Sequence, residues 1–356
     1  MEVKVVIGAN YGDEGKGLVS GNLAREAAKE NKKILTVFYN GTVQRAHSFG
    51  DTVRHCLAAG EEFGSDTYYH SMFVVDPITL WLTQSKVYLS PNCRLILPCD
   101  IAANRKLETS RGDKRHGSCG FGLFAAVTRS IRLDKVVFAE MLSQPYYLYN
   151  KLREIGNQDY DEIYNMDNFM RATTYIVNTC EIIDFKELLK KNHYDTIIYE
   201  GGQGLLLDQT NKDDFPHLTP SCVGVFNIAQ DIAKLNCIPD LYYVSRTYMT
   251  RHGAGPMEAE CLKEDINPDI VDLVNQPNPW QGNLRFGRVN LDTLYKRVQN
   301  DASKYPNKAN INLIFTQLNY TDNKIETING QQEIVKPDFC TNLYVSDNKT
   351  HIELYN

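Results

Sequence analysis

The sequence predicts an α/β fold, one domain built on a central, mainly parallel sheet flanked by helices, with peripheral helical insertions. Three observations carry this. Apolar, β-rich runs alternate with helix-like stretches along the 356 residues. Several runs are apolar throughout rather than at every second position, as strands covered on both faces require. The chain also opens with a short apolar run, a glycine-rich loop and an amphipathic stretch, which read as strand, loop and helix.

In chain order, strands are predicted at Lys4–Gly8, Lys33–Tyr39, Lys86–Leu89, Arg94–Leu97, Thr196–Tyr199, Leu241–Ser245 and Asn312–Thr316. Helices are predicted at Gly17–Lys29, Asp100–Glu108, Met166–Thr179, Phe185–Lys191 and Asn290–Ala302. No Pro/Gly/Ser-rich linker divides the chain and no repeat is visible, so residues 1–356 are expected to form one domain. The polar, tyrosine-rich stretch from Tyr146 begins an expected helical insertion over 146–190.

The formal net charge is −6, with no long basic block, which argues against a nucleic-acid polymer as partner. No apolar run approaches the ~18–20 residues that span a membrane. The first residues run straight into a strand without a signal-peptide pattern. The nine cysteines are widely spaced with no CxxC pair, and read as reduced thiols of a cytoplasmic protein. The eight histidines form no metal-ligand spacing.

The opening loop is Gly8-Ala9-Asn10-Tyr11-Gly12-Asp13-Glu14-Gly15-Lys16-Gly17. Glycines let backbone N–H groups approach phosphate oxygens, and the following helix N-terminus favours negative charge. The spacing departs from the usual P-loop, and an acid pair sits inside the turn. A carboxylate there repels phosphate unless it binds a metal or removes a proton. Asp13 is therefore the residue to explain.

Five further clusters stand at predicted strand ends or in glycine loops. Tyr39–Ser48 follows the second strand and carries His47, a donor to phosphoryl groups or a plain surface or core histidine. Arg111–Gly122 joins basic residues to a Gly/Ser loop that suits a monophosphate or is merely flexible. Glu200–Gly204 carries Gln203, whose amide can read a purine edge or stabilise a turn. Thr250–Pro256 with Trp280–Arg288 offers Arg285 as a carboxylate clamp or a solvated arginine. Thr316-Gln317-Leu318-Asn319 ends a strand where a base could be read.

Taken in order, these clusters resemble the adenylosuccinate synthetase family. Tyr11–Gly17 is similar to its W-G-D-E-G-K-G signature, and Gly41–Ser48 to its G-G-H-N-A-G-H-T loop, with the final His kept as His47. Val53–Gly60 resembles V-L-H-L-I-P-S-G, Gly117–Gly120 stands for G-T-T-G, and Glu200–Gly204 for E-G-A-Q-G. Phe215–Thr219 echoes Y-P-Y-V-T, and Thr250–Pro256 stands for T-R-V-G-A-G-P. The resemblance implies a P-loop-NTPase-like fold and a homodimeric ligase that joins aspartate to C6 of a 6-oxopurine nucleotide with a nucleoside triphosphate and Mg²⁺. It implies Asp13 as N1 base and Mg²⁺ ligand, with the Ala46 carbonyl as second ligand. Lys16 and His47 would stabilise the transferring phosphoryl group and Gln203 would orient O6. The triphosphate would lie on Gly12, Asp13, Glu14, Gly15, Lys16 and Gly17, with its base near Gln317, Asn319 and Ser346. The purine monophosphate would meet Asp13, Gln44, Arg45, Ser118, Cys119, Gln203 and Thr219, with Arg132 (or Arg129) reaching across a dimer. Aspartate would meet Gly282, Asn283, Leu284 and Arg285.

The departures sharpen the expectation. The family's T-K-L-D, whose Asp reads guanine, is Thr316-Gln317-Leu318-Asn319 here, so ATP or dATP is expected as donor. Gln44 replaces the loop asparagine, and the arginine-rich aspartate loop is reduced to Gly282–Gly287. Together with the short chain, these resemble the phage branch, which converts dGMP toward 2-aminoadenine DNA. Retention of Asp13 keeps IMP as an alternative acceptor. A regulatory nucleotide switch is the alternative of another class, but it needs the usual P-loop and a guanine-reading Asp.

Overall fold

The computed structural model describes residues 1–43, 45–156, 159–272, 275, 280 and 282–355. A ten-stranded sheet forms its centre. In chain order its strands are β1 (Glu2–Gly8), β2 (Ile34–Phe38), β3 (Asp66–Tyr69), β4 (Tyr88–Leu89), β5 (Glu181–Ile182), β6 (Thr196–Gly204), β7 (Asp240–Arg246), β8 (Asn310–Thr316), β9 (Asn342–Ser346) and β10 (Glu353–Leu354). Across the sheet they run β10-β9-β8-β7-β1-β6-β2-β3-β4-β5. Every pairing is parallel except the edge pair β9–β10, as the wholly apolar runs predict.

The helices are α1 (Lys16–Lys29), α2 (Pro77–Leu82), α3 (Pro98–Arg111), α4 (Leu123–Arg129), α5 (Pro145–Ile155), α6 (Met166–Thr179), α7 (Phe185–Lys191), α8 (Ala229–Ala233) and α9 (Leu291–Ala302). Residues of β1 serve both faces of the sheet. Val3, Val5 and Ile7 join a core with Leu188 of α7, Ile232 of α8, and Leu294 and Val298 of α9. Val6 faces Val19, Leu23, Ala24 and Ala27 of α1. Each such fully buried aliphatic side chain stabilises the fold by roughly 1.5–3 kcal/mol, so two filled faces hold β1 firmly at the centre. A second core unites Phe38, Tyr69 and Leu89 with Ile101 of α3, Leu148 and Leu152 of α5, and Phe169 and Ile176 of α6. Within 146–190, α5 and α6 thus pack on the second core, whereas β5 joins the sheet edge and α7 packs on the first core.

Some boundaries differ from expectation for local reasons. Only Arg94–Leu95 is extended in the predicted run Arg94–Leu97, and it pairs with Val74–Val75 outside the central sheet. Leu97 already caps α3, whose first residue is Pro98, a residue suited to a helix start because it lacks an N–H. The run from Thr196 continues in β6 to Gly204, through the glycines read as a turn.

The chain places β2 on one side of β1 and β7 on the other, so the sheet order switches at β1. Ligands of open α/β sheets bind beyond the carboxyl ends of the strands at such a point. A hairpin of His47–Phe49 and Thr52–Arg54 lies there against α1. Gly17 and Gly21 admit it: a Cβ at Gly17 would stand 2.7 Å from the Ser48 carbonyl oxygen, and one at Gly21 2.2 Å from the Phe49 ring. The segment after β9 meets this hairpin. The Gly50 N–H donates to the Lys349 carbonyl at 3.0 Å, Lys349 pairs with Asp51 at 2.8 Å, and Asn22 donates to the Thr350 carbonyl at 2.8 Å.

Candidate active site

The loop from β1 to α1 is shaped by its own carboxylate. Glu14 is 2 % exposed and accepts from the Asn10 N–H at 3.0 Å, the Gly12 N–H at 2.8 Å and Lys16 Nζ at 2.7 Å. It lies over Gly8, where an added Cβ would sit 2.4 Å from its Oε2. Burial alone would raise the Glu14 carboxyl; the Lys16 ammonium and the loop N–H groups outweigh it and hold the group below its ordinary value. With Glu14 turned inward, Asp13 projects into the cleft from a left-handed backbone position (φ 61°).

That cleft holds about 630 Å³. Gly12, Asp13, Gly15, Lys16 and Gly17 line its floor. Ala46, His47, Cys119 and Gln203 line one part of its wall, and Gln317, Asn319, Asp347, Asn348 and Lys349 another. These come from the ends of β1, β2, β6, β8 and β9, which brings together residues spread over most of the sequence. Burial pushes the Asp13 carboxyl up, opposed by His252, Arg246 and Lys16 in that order. His252 Nε2 stands 3.5 Å from Asp13 Oδ2, and Arg246 Nε donates to the Asp13 carbonyl at 2.5 Å. The Asp13 group is therefore a carboxyl with a raised proton affinity, facing cations across an enclosed space.

His47 meets Glu200 through Nδ1 at 2.6 Å and Arg45 Nη2 at 2.5 Å. Burial and then the Arg45 charge depress its pKa to about 4, so the ring is neutral near pH 7. Burial raises the Cys119 thiol to about 11, so it is protonated.

Several expected site residues are placed differently. Arg45 is among the residues lining the cleft, but its guanidinium is enclosed over the Phe38 ring, 3.4 Å from its centroid, and bonds to Glu200. The Ser346 hydroxyl donates to the carbonyls of Asn348 and His351, so residues 347–349 line the cleft in its stead. Arg285 is engaged internally: Nη1 donates to the Gly253 and Gly255 carbonyls at 3.0 and 2.9 Å, and Nε donates to Glu260 at 2.7 Å. Gly282, Asn283, Leu284 and Arg285 are absent from the cleft lining. Ser118 accepts from Asn104 at 2.7 Å beside Cys119, and Thr219 is buried with its hydroxyl unpartnered. Arg132 lies on the surface with Asp134, whereas Arg129 is bound to Asp100 and the Leu95 carbonyl. Gln44 lies outside the described residues.

Sequence reasoning missed Arg246, Tyr248 and Asp272 as cleft residues. Arg246 pairs with Asp272 at 2.9 Å, which outweighs burial and holds the Asp272 carboxyl down at about 2. Arg246 ends β7, and a charged residue closing an apolar strand at its carboxyl end was the signal available.

A glycine loop, a carboxyl of raised pKa and a cleft at the ends of several parallel strands are the features of a nucleotide-binding α/β protein. The sequence model described as adenylosuccinate synthetase matches residues 78–275. The adenylosuccinate synthetase of Edwardsiella ictaluri is 28% identical over 313 residues, 79% of this chain and 70% of that protein. That of Proteus mirabilis is 28% identical over 73% of this chain and 65% of its own length. That of Photobacterium profundum is 28% identical over 97% of this chain and 81% of its own length. Among solved structures, the fully ligated adenylosuccinate synthetase of Plasmodium falciparum aligns with a TM-score of 0.67 at 19% identity, over 90% of this chain and 77% of that one. The succinoaminodeoxyadenylate synthetase of cyanophage S-2L, bound to dGMP and dATP as an energy donor, aligns with a TM-score of 0.64 at 15% identity, over 99% and 95%. The chain belongs to the adenylosuccinate synthetase family, whose members are carbon–nitrogen ligases of purine biosynthesis. Among the described residues no helix is long and apolar enough to cross a membrane.

Proposed function

We propose that the chain joins L-aspartate to C6 of dGMP with ATP or dATP as phosphoryl donor, giving N6-succino-2-amino-2′-deoxyadenylate. The observation that carries the reading is the convergence of Lys16, His47 and Gln203 on the cleft into which Asp13 projects. In this reading Asp13 takes the N1 proton and O6 attacks the γ-phosphorus, breaking its bond to the bridging oxygen, expelling the nucleoside diphosphate and forming a 6-phosphoryl intermediate. The aspartate amine then displaces phosphate from C6. Lys16 and His47 donate toward the phosphoryl oxygens, His47 in the neutral tautomer that accepts from Arg45 at Nδ1 and carries its proton on Nε2, and Gln203 holds O6. Asn319 replaces a carboxylate with an amide at the base end, which removes guanine's charged partner and favours an adenine donor.

The donor set suits Mg²⁺, which takes one or two protein oxygens and fills its shell from phosphates and water. Asp13 and Ala46 line the same cleft and would hold it, while the described residues contain no cluster of three or more metal-binding side chains. When bound, the ion neutralises charge on the triphosphate. A homodimer belongs to the reading, with the exposed Arg132 as the arginine presented to a second copy. Support for the phage-type substrate comes from the near-full mutual coverage with the cyanophage protein. A second reading, the same chemistry on IMP, is favoured by the retained Asp13, because hypoxanthine shares N1–H and O6 with guanine.

The test incubates the protein, Mg²⁺ and aspartate with dGMP or IMP, and with ATP, dATP or GTP, and follows the succinyl adduct. Adduct from dGMP supports the first reading. Adduct from IMP alone supports the second, and triphosphate hydrolysis without adduct overturns both. EDTA should abolish adduct formation.

A further inference from the structure

Beneath the cleft wall lies a group of charges that the proposed chemistry does not use. The Arg45 and Glu200 side chains are both fully enclosed. Arg45 comes from the loop after β2, Glu200 from β6, and His47 from the hairpin on α1. One atom of each meets the others: Arg45 Nη2 bonds Glu200 Oε1, and His47 Nδ1 lies 2.5 Å from the first and 2.6 Å from the second. The other oxygen of Glu200 accepts the Ala59 N–H at 3.3 Å. Phe38 closes the opposite side of the guanidinium. Among the described residues Nε and Nη1 of Arg45 have no partner, so the arginine's polar contacts there are concentrated on Nη2.

A buried guanidinium without full hydrogen bonding is costly, and its place in a fold calls for a compensating use. Its position rules out contact with a ligand, since the side chain has no exposed surface. It grips one edge of the His47 ring instead. With Nδ1 held by the pair, the opposite edge of the ring, bearing Nε2, is the one left for the cleft that His47 lines.

We propose that Arg45 and Glu200 act together as positioning residues that fix the orientation of the His47 ring, so that Nε2 faces the reacting phosphoryl group. This deepens the ligase reading and rests on it for the role of His47. It also reassigns Arg45 from nucleotide contact to support. A conformationally fixed donor matters because misplacement by about 1 Å costs on the order of 100-fold in rate.

The experiment is a mutant cycle that removes the pair as a unit, Arg45→Met with Glu200→Gln, in native and His47→Ala backgrounds. Removing both partners avoids stranding one buried charge, and the thermal transition verifies that each variant folds. In the native background kcat for adduct formation should fall about 10- to 100-fold, with KM for the nucleotide within about threefold. In the His47→Ala background the same pair of changes should have little further effect, because the pair acts through the ring. An equal loss of kcat in both backgrounds overturns the proposal, as does full activity of the paired variant. Ring orientation is read separately with ¹⁵N-labelled histidine, the His47 signals being assigned by their loss in His47→Ala. Those signals should move toward free-histidine values in the paired variant. Unchanged signals overturn the proposal even if the native protein forms no adduct, an outcome that would itself overturn only the ligase reading. If the paired variant fails to fold, Glu200→Gln alone, which keeps the size and one acceptor oxygen but removes the charge facing Arg45, serves in the same cycle with the same criteria, its thermal transition again verifying the fold.

Discussion

Replacing Glu14 by Gln tests whether the phosphate loop is organised by its own carboxylate. Glu14 and Lys16 have side-chain exposures of 2% and 3% and approach to 2.7 Å. The amide keeps an oxygen for the Asn10 and Gly12 N–H groups but leaves the Lys16 ammonium buried without its counter-charge. Removing one partner of a buried ion pair costs about 3–5 kcal/mol. The surviving acceptor places the expected loss at the lower end, about 3 kcal/mol. Urea unfolding of both proteins near neutral pH measures it, with equal slopes showing that the folded and unfolded states keep their extent. The pH dependence gives a second reading. The folded-state pKa of Glu14 is held below 4.5. Its contribution is therefore fully present above the unfolded-state value and is lost as pH falls through the folded one. The Gln variant should lack that component, so the gap between the two proteins should narrow on acidification. A loss below about 1 kcal/mol, the range of a solvent-screened pair, or a gap independent of pH, would refute the assignment.

Asp13→Asn should lower adduct formation by about 10²- to 10⁴-fold, the usual contribution of a general base, while the urea midpoint barely moves. The Asp13 carboxylate has its His252 contact at 3.5 Å and holds up no packing, so a large loss of stability would count against this account. Asn319→Asp should shift donor preference from ATP toward GTP, measured as a ratio of kcat/KM, and an unchanged ratio would remove Asn319 from base reading. Gly204→Ala should place a Cβ 2.2 Å from the Asn10 carbonyl oxygen and 2.5 Å from the Gly12 nitrogen. Backbone must yield, so a loss of about 1–3 kcal/mol together with weaker triphosphate binding is expected, and native-like values of both would refute the close approach.

Much of this fold was legible because its signals are local. The apolar periodicity of Met166–Thr179 and Phe185–Lys191 locates α6 and α7 with the boundaries observed. Asn290 precedes α9 and caps it by accepting from the Thr293 N–H. Other elements carried weaker signals. β3 reads Asp66-Thr67-Tyr68-Tyr69, with no aliphatic residue, and owes its place to neighbours on both sides. α2 is short, although Asp76 before Pro77 is a cap-and-start signal that the periodicity did not reveal. Asp13, Lys16, His47 and Gln203, which share one cleft, were singled out from contiguous motifs. Arg246 and Asp272 were not, since an ion pair spanning 26 residues leaves no local pattern. Arg45 and Arg285 were read as ligand contacts because a sequence shows a charge but not which way it turns. Both are engaged by groups of the protein itself, Arg45 by Glu200 through Nη2 and Arg285 by Glu260 and two carbonyls.

The strap between the segment after β9 and the hairpin that carries His47 has an evolutionary consequence. Lys349 lines the cleft near the proposed base end, yet its carbonyl and ammonium are bound to Gly50 and Asp51, in the tip of the hairpin that His47 begins. A lineage that lengthens or recuts this tail to accept another base would also disturb the mounting of the histidine. Under the proposed reading, change in donor preference would therefore be channelled toward point substitutions on the β8 turn, such as position 319, which leave the strap untouched.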